Sequence, residues 1–192
     1  MPHRLEIKYG LTAEELLDAI DKRFPAKVTL EGAVAEVKVG KIIRSLKRRS
    51  LIERFEEHDL DNYPDYTLWI AGTNKGIRLE CKNVRDSEEA YRHKGKIVAY
   101  KVETQKTRAS KGDPTSRCYG LDQFEILAVC LGKKTGNWSD FLYIRTDRLE
   151  RHAQFKNKLA TMQRVPLPDS GDLGEWHKDL GAVLRSFGRK KQ

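Results

Sequence analysis

A chain of 192 residues, 39% apolar and 34% charged, has enough material to bury a core and is not a disordered composition. Lysine and arginine number 37 against 28 acids, a formal net charge of +9, which favours a polyanion such as nucleic acid as partner. Three cysteines with no CxxC or Cys/His spacing argue against a disulfide framework and a zinc site, and no stretch approaches the roughly 20 apolar residues of a membrane span.

The N-terminal MPHRLEIKYG carries no apolar signal region, so a cytoplasmic location is the default expectation. Thr12-Ala13-Glu14-Glu15 fits a capping box, and Leu16, Leu17, Ile20 and Phe24 follow at helical spacing until Pro25 closes the helix. A second helix is predicted from after Thr29 to the basic cluster Lys47-Arg48-Arg49, with Ala35, Val39, Ile42, Ile43 and Leu46 as its apolar stripe. Glu36 falls in line with Gly40 and Ile43, which directs its carboxylate near the buried face. Residues 51–56 read as a strand, and a run of acids follows it: Glu56, Glu57, Asp59, Asp61 and Asp65.

Period-two alternation then predicts strands over residues 66–71 and 77–83, joined by the glycine-bounded turn 72–76. Glu80 and Lys82 share one face of the second strand, and the hairpin brings Asp65 alongside them. Residues 86–91 read as a short polar helix or loop, and 96–105 as another strand. The segment 106–117 is a loop with four basic residues and one acid. The apolar run 124–131 is assigned as a buried strand with 139–145 as its partner. A helix over 146–159, a connector over 165–174 and a last amphipathic helix carrying Trp176, Leu180, Val183, Leu184 and Phe187 complete the chain.

Asp65, Glu80 and Lys82 carry a specific chemistry. Cleaving a phosphodiester requires an activated water and neutralised phosphate charge, and a divalent metal supplies both. Mg²⁺ takes oxygen ligands and keeps several waters, so one or two carboxylates suffice to hold it. Asp65 and Glu80 meet that need, the backbone carbonyl of Cys81 offers a further oxygen, and Lys82 is placed to contact the phosphate or polarise the water. The Glu-x-Lys triplet alone is weak, because Glu6-Ile7-Lys8 and Glu36-Val37-Lys38 have the same spacing. Context singles out 80–82: an alternating strand, after a turn, behind a strand that opens on Pro64-Asp65.

With those residues in place, the stretch from Glu36 to Ile144 resembles the PD-(D/E)XK nuclease superfamily, which includes many type II restriction endonucleases. Pro64-Asp65 matches the first half of the signature and Glu80-Cys81-Lys82 the second. The resemblance implies an α/β fold with a restriction-endonuclease-like core, a central mixed β-sheet flanked by helices, in a single domain. The catalytic core would span about 30–150, with a helical appendage over about 165–192. It implies Asp65 and Glu80 as metal ligands and Lys82 as the catalytic lysine. Glu36 would be the glutamate that many members bring from the first core helix, and Gln105 a glutamine on the strand after the signature. The match departs in one place: a helix between the last core strands is short, at most residues 121–124.

Lys106, Arg108, Lys111 and Arg117, with Arg85 from a second basic cluster, are the expected contacts to double-stranded DNA. Tyr119 and Trp138 read as packing residues. Cutting both strands takes two active sites, so a homodimer is expected, with the C-terminal helix as one candidate interface. The function implied is a Mg²⁺-dependent DNA endonuclease of the restriction type. Its rivals are another nuclease on the same scaffold, such as a junction resolvase or a repair or defence nuclease, and a non-catalytic nucleic-acid-binding protein.

Overall fold

The computed structural model describes residues 1–60, 63–86, 89–106, 112–113 and 115–188. The chain divides into two compact units, residues 1–34 and 35–192. The first holds two short helices, α1 (Arg4–Tyr9) and α2 (Ala13–Asp21), and the start of α3 (Phe24–Arg48), whose remainder belongs to the second unit. The expected capping box forms: the Thr12 hydroxyl accepts from the Glu15 amide while the Glu15 carboxylate takes the Thr12 amide. Pro25 does not close that helix. It sits in the first turn of α3, where no amide is required, so α3 begins at Phe24 rather than after Thr29.

In the second unit, a five-stranded mixed sheet runs in the order β1-β2-β3-β6-β7. Its strands are β1 (Ile52–Glu57), β2 (Tyr66–Ile70), β3 (Gly76–Asn83), β6 (Ile126–Cys130) and β7 (Phe141–Arg145). The β3·β6 pairing is parallel and the others are antiparallel. A second sheet orders β4 (Ala90–His93), β5 (Lys96–Glu103) and β8 (Met162–Val165). The predicted strand at 96–105 thus belongs to this second sheet, and β6 takes the place beside β3.

Strand alternation sorts the core. Tyr66, Leu68, Leu79, Cys81 and Ala128 face one way and bury Ala35, Val39, Ile43 and Leu46 of α3 with Leu180, Val183 and Leu184 of α5 (Leu180–Gly188). Leu127, Val129, Leu142 and Ile144 face the other way, onto Val84, Val102 and Val165. The last helix thus lays its apolar stripe on its own sheet, and its expected role as a dimer face loses those residues. Trp176 precedes it and is buried separately.

Two other expectations fail, and a third holds only in part. Residues 146–159 form no α-helix, only a 3-10 turn at Thr146–Arg148, after which Arg151 and Leu159 pair as a bridge. Residues 121–124 form a turn, not a helix. Of the helix or loop expected over 86–91, residues 86 and 89 lie outside any helix or strand and Ala90 already opens β4, whose short, half-exposed and polar sequence gives no periodic signal. A short α4 (Gly132–Thr135) follows β6, where a Cβ on Gly132 would lie 2.6 Å from the Trp138 ring.

Candidate active site

The site begins where β2 leaves β3. The β2·β3 ladder ends at the Tyr66↔Leu79 pair, so past Leu79 the β2 side of β3 is open. Along β3, Arg78 and Val84 turn their backbone toward the β6 side: the Arg78 carbonyl accepts from the Glu125 amide, and the Val84 amide donates to the Cys130 carbonyl. Alternation therefore turns the N–H and C=O of Cys81 to the open side. There the Cys81 amide donates to Asp65 Oδ2 at 2.6 Å. Asp65 is the residue immediately before β2, and its carbonyl takes the His58 amide at 2.9 Å.

Glu80 and Lys82 project from the same face of β3. Glu80 is 3% exposed, and its Oε1 accepts from the Lys82 ammonium at 2.5 Å. A residue that sequence reasoning set aside as packing completes the pair: Tyr119 donates its hydroxyl to the same Oε1 at 2.5 Å. Its ring stands edge-on to Phe124 at 5.2 Å, and the Lys82 and Lys106 ammonium groups lie 5.7 and 6.0 Å from the ring centre. Tyr119 is fixed by its backbone between the Gln105–Cys118 and Gly120–Lys158 bridges. No periodicity marks it, and its partner is 39 residues away in sequence.

Glu36 comes from α3, and Tyr66 ties it to the sheet. The Tyr66 hydroxyl donates to the Glu36 carbonyl at 3.0 Å and meets the Glu57 carboxylate at 3.1 Å. Gly40, one turn further along α3, permits that approach, since a Cβ there would lie 2.7 Å from the hydroxyl oxygen. The chain thus holds the Glu36 backbone against the residue that follows Asp65.

Charge crowds this corner. Burial, then the charge of Glu80, pushes the Asp65 carboxyl up to about 7, although the Cys81 amide and Lys82 oppose the shift. Burial likewise raises Glu36, with Lys82 pulling the other way and Glu80, Asp59 and Glu57 adding to the rise. Burial would lower Lys82, but the Glu80 charge and the other acids around it win, and its ammonium is held well above the usual range. Burial raises the Tyr119 phenol, keeping it a donor.

The donor set suits a hard cation. Two carboxylates and a backbone carbonyl lie at one open strand edge, with no imidazole among them. The three cysteines are buried free thiols. Among the described residues no group of three or more His, Cys, Asp or Glu side chains is placed to hold a metal ion. Such an ion would lean on two side chains and keep water, which is the habit of Mg²⁺.

The remaining predicted residues separate. Gln105 bridges to Cys118 through its backbone, and its side chain makes no hydrogen bond to another described residue. Arg85 is engaged: it reaches Glu89 at 2.7 Å and Glu103 at 2.8 Å. Arg117 lies 3.8 Å from Glu103 and donates to the Lys106 carbonyl. Arg108 and Lys111 lie outside the described residues. Sequence reasoning passed over a different basic surface. Between Glu36 and Glu53 the chain carries six bases, Lys38, Lys41, Arg44, Lys47, Arg48 and Arg49, and no acid. Lys41, Arg44, Lys47 and Arg48 are exposed on α3, and none forms an ion pair with a described residue.

Comparison with protein-family models and with curated proteins finds no match. A solved bacterial homing endonuclease aligns with the chain. It covers 85% of this chain and 97% of its own, at TM-score 0.49 and 15% identity. At that level the likeness does not extend to residues or to activity.

Proposed function

We propose that the protein is a metal-dependent DNA endonuclease, and in its finer form a restriction-type enzyme that cuts duplex DNA with Mg²⁺. One observation carries the proposal: Asp65, the Glu80–Lys82 pair and the Cys81 backbone meet at one open strand edge. A divalent cation held by Asp65, Glu80 and the Cys81 carbonyl would supply Lewis acidity and a more acidic water.

The chain's own groups do the rest. Lys82 must turn from Glu80 toward the scissile phosphate or its attacking water, stabilising charge that develops in the transition state. The charge of the buried Glu80 carboxylate would then be offset by the bound cation, while its Oε1 still needs a hydrogen-bond donor to stay in place. Tyr119 is that donor, so it holds Glu80 in place while Lys82 moves. Glu36 adds negative charge on the α3 side and favours cation capture. The DNA backbone runs over the uncompensated bases of α3, with Lys106 on the opposite flank of the site. Arg85 and Arg117 brace the loop ends through Glu103 instead of meeting phosphate.

Incubation of supercoiled plasmid with Mg²⁺ against EDTA tests the proposal. Discrete Mg²⁺-dependent fragments support the restriction-type form, and nicking, smearing or junction-only cutting supports a different nuclease on the scaffold. Binding with no cutting under any divalent cation overturns the enzyme. Lys82→Ala should then abolish cleavage while duplex affinity stays within about threefold; cutting at the wild-type rate would remove Lys82 from the mechanism.

A further inference from the structure

The unit at residues 1–34 contains no buried residue. Among the described residues, nine of the thirteen exposed large hydrophobic side chains fall within it, including Ile7 and Phe24 at 71% exposure, Leu17 at 59% and Tyr9 at 56%. So short a segment does not build a core of its own. These nine side chains leave apolar surface uncovered, the kind of surface that an interface covers.

We propose that this N-terminal unit is a self-association arm whose occupant is a second copy of the same chain. Charge selects that occupant. Residues 1–34 carry five bases and six acids, which leaves thirty-two bases and twenty-two acids on the remainder. The arm is nearly neutral while the rest holds the positive surplus, so the arm suits neither a polyanion nor repulsion between copies. The order of its charges is also self-complementary. Glu14, Glu15, Asp18 and Asp21 precede Lys22, Arg23 and Lys27. Two copies related by a two-fold axis across this segment set the acids of each against the bases of the other. The in-chain pairs Lys22–Asp18 and Lys27–Asp21 are exposed, worth little, and free to exchange.

Sedimentation equilibrium of the full chain at micromolar concentration tests this. The wild type should sediment at twice 22.1 kDa. Leu17→Glu with Phe24→Glu should give a monomer with unchanged circular dichroism, since both side chains are exposed. Lys22→Glu with Arg23→Glu should weaken the dimer, and mixing that variant with Asp18→Lys/Asp21→Lys should restore it. A monomeric wild type overturns the proposal, as does a Leu17→Glu/Phe24→Glu chain that remains dimeric. Protection of residues 1–34 from protease by duplex DNA alone also overturns it, by naming a different occupant. Mass is read without cleavage, so a failed nuclease assay leaves this result standing.

Discussion

Tyr119 and Asp65 carry the sharpest residue-level tests. Tyr119→Phe keeps the ring on Phe124 but removes the donor that Glu80 needs when Lys82 turns away. Losing a hydrogen bond to a buried charged group costs about 1–3 kcal/mol, so single-turnover cleavage should fall roughly 10- to 100-fold with duplex binding unchanged. A change in melting temperature alone would reduce Tyr119 to packing. Asp65 works through pH. Its folded pKa of about 7 lies above the ordinary 3.8, so the folded chain holds a proton that the unfolded chain has released. Stability therefore falls as pH rises from about 4 to about 7 and then levels. Asp65→Asn should flatten that slope. It should match the wild type near pH 4 and exceed it at pH 8 by on the order of 2 kcal/mol, a figure discounted for partial exposure. Thermal melts at the two pH values measure this. Mg²⁺ at pH 8 should raise the wild-type melting temperature and leave Asp65→Asn unmoved. At this scale the sequence was partly legible. The spacing of Glu80 and Lys82 is a property of any strand, whereas Tyr119 reaches Glu80 only through tertiary closure and leaves no local trace.

Among the elements, α3 does two jobs that can be separated. Its buried flank approaches β2 closely, which Gly40 permits. Gly40→Ala gains about 1 kcal/mol of helix propensity, yet the added methyl meets the Tyr66 hydroxyl, and overpacking of this kind costs about 1–3 kcal/mol. A net loss is expected in urea denaturation, and a smaller one in a Tyr66→Phe background, where the clashing oxygen is gone. Its exposed flank carries Lys41, Arg44 and Arg48. Replacing all three by Gln should lower the slope of log affinity against log salt by about 0.9 for each phosphate these side chains neutralise, uniformly across DNA sequences. An unchanged slope would take α3 off the DNA. The alternating strands β2, β3 and β5 were readable from the chain, as were β6 and β7, which are short apolar runs bounded by turn residues. Those with neither signal, β4 and β8, were not, and the helix assigned to 146–159 failed because scattered apolar residues in a polar stretch resemble a helical face without forming one. Sheet membership was hidden as well: β5 alternates just as β3 does, and alternation does not say which neighbour a strand will take.

For the molecule as a whole, charge and burial are unevenly shared. Residues 35–192 hold both cores and the positive surplus, while residues 1–34 are near-neutral and unburied. Composition revealed the sum but not this partition. If two copies join, plasmid assays should show linear product directly at high concentration and nicked circles on dilution below the dissociation constant of the dimer. A product ratio independent of enzyme concentration would mean that each copy works alone. One small feature gives all of this an internal gauge. The Cys81 amide bonds to a carboxylate and not to a neighbouring strand, so its proton resonance responds to whatever Asp65 holds. Titrating acid or divalent cation against that single NMR signal would report the protonation and loading of the centre in solution, with no substrate present.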